Sequence, residues 1–232
     1  MPSAGKEGCV LFDFDGTLVD VRAASACSLH AVSHLILREH KNLHRGRLYE
    51  TLSETSSLLD AQGVYDRRIW WKKTASTYGL EVTESQLLRY TVAYWTTYAR
   101  MTRAKPEGLA LVDRLKSKGT RIGIVTNTDG WRGGKRWRLS FYPAIKEFES
   151  VVVAGEDTSN PKPSPDGITR ACRILEADPE GTVYIGDDPF KDATAAEAAG
   201  VGCLIVDGGS SRGAHTGNRV ADLSSVAEFL GL

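Results

Sequence analysis

Five short runs of the chain are predominantly apolar rather than alternating, at residues 9–14, 121–126, 150–154, 182–186 and 202–206. Each has the length of a strand and is rich in Val, Ile and Phe, the composition of a strand covered on both faces. Between the later runs the apolar period lengthens to that of a helix, at residues 107–118 closed by Gly119, 164–176, and 192–199 closed by Gly200. Ser164 and Pro165 supply an N-cap followed by a first-turn proline. Strand and helix in alternation predict an α/β fold, a Rossmann-like parallel sheet with helices on both faces.

Residues 19–104 break this rhythm. No convincing strand is found there, and apolar positions recur at helical spacing. Leu48, Leu52, Thr55 and Leu59 form one stripe, and Ile69, Trp70, Lys73 and Thr77 form a weaker one. Pro106 suits the start of a helix as the first pattern resumes. The expected organisation is therefore a core of residues 1–18 and 105–232 with an inserted α-helical cap domain at 19–104. A Gly- and Ser-rich stretch at 207–217 is expected to be a surface loop.

The chemistry-bearing residues gather where strands end. Asp13 and Asp15 close the first apolar run and lead into Gly16 and Thr17. Ligands of open α/β sheets sit beyond the carboxyl ends of the strands, so both carboxylates should face one crevice. Carboxylates that close repel each other unless a cation or proton is shared between them. A bound Mg²⁺ would resolve the conflict and leave one oxygen of Asp13 as a nucleophile toward phosphorus. Asp15 would then protonate the leaving oxygen and activate water. Gly16 would let the backbone turn tightly and present amides to a phosphate.

The run Asp13-Phe14-Asp15-Gly16-Thr17 resembles the DxDGT motif of phosphatases in the haloacid dehalogenase superfamily. Three further elements follow in the order the resemblance implies. A strand ends at Thr126-Asn127, whose hydroxyl and amide would bind a phosphoryl oxygen. Lys162 sits between Pro161 and Pro163, fixed as a cation opposite the carboxylates. The run Gly186-Asp187-Asp188-Pro189-Phe190-Lys191-Asp192 resembles the family's GDxxxD pattern. The resemblance implies a magnesium site of Asp13, the backbone carbonyl of Asp15, and Asp187. Asp192 would act through water or by holding Lys162, and Asp188 would either add an outer contact or face solvent. The helical insertion corresponds to the family's type 1 cap, in the manner of phosphoglycolate phosphatase-like members, a lid that supplies substrate contacts.

Composition narrows the partners. Lys plus Arg and Asp plus Glu both number 29, so no global field favours nucleic acid or an anionic membrane. No run approaches the ~20 apolar residues of a membrane span. The four cysteines are scattered without a CxxC pair, which suits thiols in a reducing cytoplasm. The expectation is a cytoplasmic phosphoric monoester hydrolase acting on a small phosphorylated metabolite, its oligomeric state undetermined by sequence. The alternatives are a sugar-phosphate mutase or a noncatalytic binding protein of the same fold; the second is disfavoured because no nucleophile, lysine or metal ligand is missing. In the insertion, Arg22, His30, His34, Arg67, Arg68, Lys72 and Lys73 could meet a second anion, though most should be solvated, and one ring of Trp70-Trp71 could line a cleft. The basic loop 129–136 could steer phosphorylated substrates, but reads best as an exposed loop without a ligand role.

Overall fold

The computed structural model describes residues 8–206 and 218–232; the Gly- and Ser-rich stretch at 207–217 lies outside them. In chain order the elements are β1 (Val10–Phe12), β2 (Val19–Asp20), α1 (Arg22–Glu39), α2 (Arg45–Ala61), α3 (Arg67–Thr77), α4 (Glu84–Met101), β3 (Arg103–Ala104), α5 (Pro106–Ser117) and β4 (Ile122–Asn127). They continue with α6 (Gly134–Leu139), β5 (Ser150–Ala154), α7 (Asp166–Ile174), β6 (Val183–Gly186), α8 (Thr194–Ala198), β7 (Gly202–Val206), β8 (Asn218–Val220) and α9 (Leu223–Phe229). Among the described residues no helix is long and apolar enough to cross a membrane.

Six strands form one sheet in the order β5-β4-β1-β6-β7-β8, every pair parallel. The predominantly apolar strand runs arise because helices cover the sheet: β1 is buried along its whole length, and α7 packs on β4 and β5. Register then sets the function. Phe12 pairs with both Ile124 and Ile185, so the carboxyl ends of β1, β4 and β6 fall side by side. Asp13 and Asp187 follow directly from the ends of β1 and β6, and Thr126 is the penultimate residue of β4.

The chain divides into two compact units. The α/β unit holds the described residues up to Asp20, Arg103–Thr128, and those from Lys135 onward; the helical unit holds Val21–Thr102 together with Asp129–Gly134. The insertion therefore begins and ends two residues inside the expected 19–104. A small antiparallel ribbon, Val19 opposite Ala104 and Asp20 opposite Arg103, belongs to the α/β unit; two residues per strand are too few to show a period. The loop 129–134, expected in the core, groups with the helices, where a Cβ on Gly130 would lie 2.1 Å from the Tyr65 carbonyl oxygen.

Within the helical unit, α1 packs against α4 and α2, and α3 against α2 and α4. The stripe Leu48, Leu52, Thr55 and Leu59 is buried on α2 as its spacing requires. Of the expected α3 stripe only Trp70 is buried. The inner face of α3 is Arg67, Trp70, Trp71, Thr74 and Ala75, and Ile69 is exposed. Both indoles enter the core, with ring centroids 6.3 Å apart at 74°, so neither lines a cleft. Two wide rings span an arc of helix that aliphatic spacing does not anticipate. Their polar ends are satisfied locally, Trp70 Nε1 by the Val64 carbonyl at 2.6 Å and Trp71 Nε1 by Thr91 Oγ1 at 3.0 Å.

Candidate active site

Asp13 leaves β1 with its amide donating to the Ile185 carbonyl at 2.8 Å, which ties the turn to β6. Its carboxylate is buried, and Oδ1 accepts from Lys162 Nζ at 2.7 Å. The same ammonium donates to Asp192 Oδ1 and to the Tyr184 hydroxyl, each at 2.7 Å. Three donors are thus matched by three acceptors. Burial alone would push the Lys162 ammonium down; Asp13 and Asp192 outweigh it and hold its pKa well above the ordinary value. Burial pushes the Asp13 carboxyl up to about 6, opposed by Lys162 and reinforced by Asp192 and Asp15.

Lys162 is delivered by a clipped loop. Asn127, at the end of β4, accepts from the Lys162 amide at 2.8 Å and donates to its carbonyl at 3.2 Å. The Asn127 side chain is therefore a clamp on the lysine loop. Thr126, one residue earlier, is buried at the carboxyl end of the same strand.

Asp187 follows β6. Burial, then the charges of Asp13 and Asp192, pushes its carboxyl well above the ordinary range, while the Thr17 hydroxyl donates to Oδ1 at 3.2 Å. Gly16 makes room for it. At φ +87° a Cβ there would lie 2.2 Å from Asp187 Oδ2, so both the backbone and the space demand glycine. Carboxylate oxygens of Asp13, Asp187 and Asp192 lie within 4.8 Å of one another. Those of Asp192 are already engaged, Oδ1 by Lys162 and Oδ2 by the amides of Asp187 at 3.1 Å and Asp188 at 3.0 Å. That leaves Asp13 and Asp187 as the pair suited to a cation: hard oxygen donors whose negative forms are penalised by burial and by each other. Asp188 caps the next helical turn, Oδ1 accepting from the amides of Phe190 and Lys191 at 2.9 Å.

Asp15 sits in a cationic setting. Arg138 grips its carboxylate with two parallel bonds, Nη1 to Oδ1 at 2.7 Å and Nη2 to Oδ2 at 2.6 Å, and Lys135 Nζ donates to Oδ2. Burial opposes ionisation of Asp15, but Arg138 and Lys135 prevail and hold its pKa far below the ordinary value. The loop expected to be exposed thus leads into a largely buried ion-pair cluster. Arg138 was not anticipated at all. The signal was present in Lys135 and Arg138, three residues apart and so on one face of α6. Basic side chains are ordinarily solvated, which hides such a face. Tyr184 and Thr17 were also missed, because a tyrosine inside an apolar strand and a threonine after glycine read as packing and turn.

Of the basic residues in the helical unit, Arg68 pairs with Asp66 and Lys72 with Glu84 at the surface. His30 stacks on Tyr49 at 4.0 Å. Arg67 is buried, its guanidinium 3.5 Å from the Trp70 ring centroid.

A model of the haloacid dehalogenase-like hydrolase family matches residues 10–206. The phosphoglycolate phosphatase of Cereibacter sphaeroides is 30% identical over 193 residues, covering 83% of this chain and 81% of that protein. Pyrophosphatase PpaX of Bacillus mycoides is 28% identical over 203 residues, covering 87% and 84%. Among solved structures, the HAD-hydrolase YfnB of Bacillus subtilis, bound to magnesium, superposes with a TM-score of 0.76 at 18% identity, covering 98% of this chain and all of that one. A HAD phosphatase from Thermococcus onnurineus gives 0.71 at 22% identity, covering 97% and 98%. Sheet order, strand-end carboxylates and these matches agree: the chain belongs to the haloacid dehalogenase-like hydrolases.

Proposed function

We propose that the protein hydrolyses small phosphate monoesters through an aspartyl-phosphate on Asp13, with Mg²⁺ held by Asp13, Asp187 and the backbone carbonyl of Asp15. The observation that carries this reading is the placement of Asp13, buried at the end of the central strand β1 with Oδ1 bound to Lys162 at 2.7 Å. Lys162 fixes one oxygen, so Oδ2 is the attacking atom. Mg²⁺ would supply positive charge to the phosphoryl oxygens and relieve the repulsion between Asp13 and Asp187.

The chain's own residues divide the rest. The Thr126 hydroxyl and the Asn127 amide bind a phosphoryl oxygen, and Lys162 offsets charge on the group in transfer. As Oδ2 bonds to phosphorus the ester oxygen departs, taking a proton that Asp15, ionised at rest, relays from solvent water. Asp15 then takes a proton from water, whose oxygen attacks phosphorus, releasing phosphate and restoring Asp13. The α/β unit carries this chemistry, and choice among phosphorylated metabolites falls to the helical unit as a cap. Relatives named for phosphoglycolate and pyrophosphate cleavage support phosphoryl hydrolysis as the reaction class.

Acid-quenching the enzyme during turnover of a ³²P-labelled monoester tests the reading. Label should remain on the protein as an acid-stable, hydroxylamine-labile acyl phosphate, and be absent from Asp13→Asn. Normal turnover by Asp13→Asn, or full activity in EDTA, would refute it.

A further inference from the structure

Helix α5 starts on a residue that suits a helix start poorly. Lys105 is its N-cap, where Ser, Thr, Asp or Asn would bond the free amides of the first turn and where a cation meets the positive end of the helix dipole. The lysine side chain makes no capping bond. Its ammonium donates instead to the carbonyl of Gly16, 89 residues earlier and directly after Asp15. The backbone of Lys105 is fixed independently: the amide donates to the Leu18 carbonyl at 3.0 Å, and the carbonyl accepts from the amides of Gly108 at 3.0 Å and Leu109 at 3.2 Å. Gly16 is held from both sides, since its own amide donates to the Val19 carbonyl at 3.0 Å. Val19 in turn pairs with Ala104, the residue before Lys105. Residues 16–20 and 103–105 thus form one clip, where the chain enters and leaves the Val21–Thr102 segment of the helical unit.

The clip bears on Asp187. The Gly16 carbonyl held by Lys105 belongs to the peptide that joins Gly16 to Thr17. Gly16 packs closely against the Asp187 carboxylate, and Thr17 Oγ1 donates to Asp187 Oδ1 at 3.2 Å. Turning that peptide would move both of the groups against which the carboxylate rests. We propose that Lys105 is a positioning residue for the cation site, fixing the Gly16–Thr17 peptide so that Asp187 is seated for Mg²⁺, and linking occupancy of that site to the clip. This rests on the assignment of Asp187 as a metal ligand. Linkage is reciprocal, so a contact that aids the cation is itself tightened by the cation. A lysine that only stabilised the fold would leave Mg²⁺ affinity unchanged when removed.

Calorimetric titration with Mg²⁺ tests this on the parent, Lys105→Met, Lys105→Arg and Lys105→Ser. Methionine keeps the stem and removes the ammonium; it should weaken Mg²⁺ binding by about 10-fold, the scale on which groups that orient a metal ligand act. Arginine returns a donor to the Gly16 carbonyl and should recover most of the affinity. Serine gives α5 a capping hydroxyl that is too short to reach Gly16. Lys105→Ser should therefore melt no lower than Lys105→Met in EDTA and still bind Mg²⁺ as weakly, which separates the loss of affinity from any loss of folding. In the parent, saturating Mg²⁺ should slow hydrogen exchange at the amides of Gly16 and Lys105 by more than in either variant lacking the long cation. Equal Mg²⁺ affinity in the parent and in the Met and Ser variants, or equal slowing of exchange in all three, overturns the inference. A parent that binds no Mg²⁺, or an affinity undiminished in Asp187→Asn, overturns instead the assignment of Asp187.

Discussion

Asparagine at position 13 keeps the shape of a protonated aspartate and removes its charge, so Asp13→Asn measures what that charge costs the folded protein. The buried carboxyl is pushed from 3.8 up to about 6. That gap corresponds to about 3 kcal/mol of destabilisation when the group is ionised. The sign follows from proton counting. Between pH 4 and 6 the folded state binds more protons than the unfolded chain, so stability falls as pH rises through this window. The penalty is complete above about pH 6 and nearly absent below about pH 4. In EDTA at pH 8, Asp13→Asn should therefore be the more stable protein, by about 6–12 °C in the melting of the α/β unit at the size of this chain. At pH 5 the advantage should shrink to about half. Saturating Mg²⁺ should erase or reverse it, because the cation stabilises the ionised form. Differential scanning calorimetry across pH 4–8, with and without Mg²⁺, checks each point. An Asn variant equal to or less stable than the parent at pH 8 in EDTA, or a difference independent of pH, would refute the reasoning.

Gly16→Ala places a Cβ 2.2 Å from Asp187 Oδ2 at a positive φ; it should weaken Mg²⁺ binding by at least about 10-fold in calorimetric titration and cost over about 1 kcal/mol of stability. Tyr184→Phe removes the hydroxyl that accepts from Lys162 and donates to the Val125 carbonyl at 2.9 Å. Urea unfolding should show a loss of about 1–3 kcal/mol, with kcat reduced and the nucleophile still phosphorylated. Trp71→Ala empties a fully buried position in the helical unit, and its urea midpoint should fall by the equivalent of about 3–5 kcal/mol.

How far the sequence could be read depended on whether a residue's role was carried by its neighbours along the chain. Strand runs such as 150–154 could be recognised because burial on both faces leaves an unbroken apolar signature. Asp13 and Asp187 could be placed because register is all that is needed to bring adjacent strand ends together. The burial of Trp71 and the grip of Arg138 on Asp15 could not, since each depends on packing between segments distant in sequence. Asp188 was left undecided between outer contact and solvent, and its use as a cap reflects the local hydrogen-bonding habit of aspartate at helix starts. Strand β8 and helix α9 follow the Gly- and Ser-rich stretch and are too short, at three and seven residues, to show a period.

The central place of β1 in the sheet also governs how the molecule is made. Its partners β4 and β6 lie more than 100 and 170 residues further along the chain, and Lys162 is 149 residues from Asp13. In a growing polypeptide the acidic turn after β1 thus waits more than 100 residues for the first of the strands that will enclose it. Such distant pairings close slowly because their loop entropy must be overcome before any contact compensates. The site cannot be assembled piecemeal: a nascent chain that stops before Asp192 holds Asp13 and Lys162 without the second carboxylate of their buried cluster.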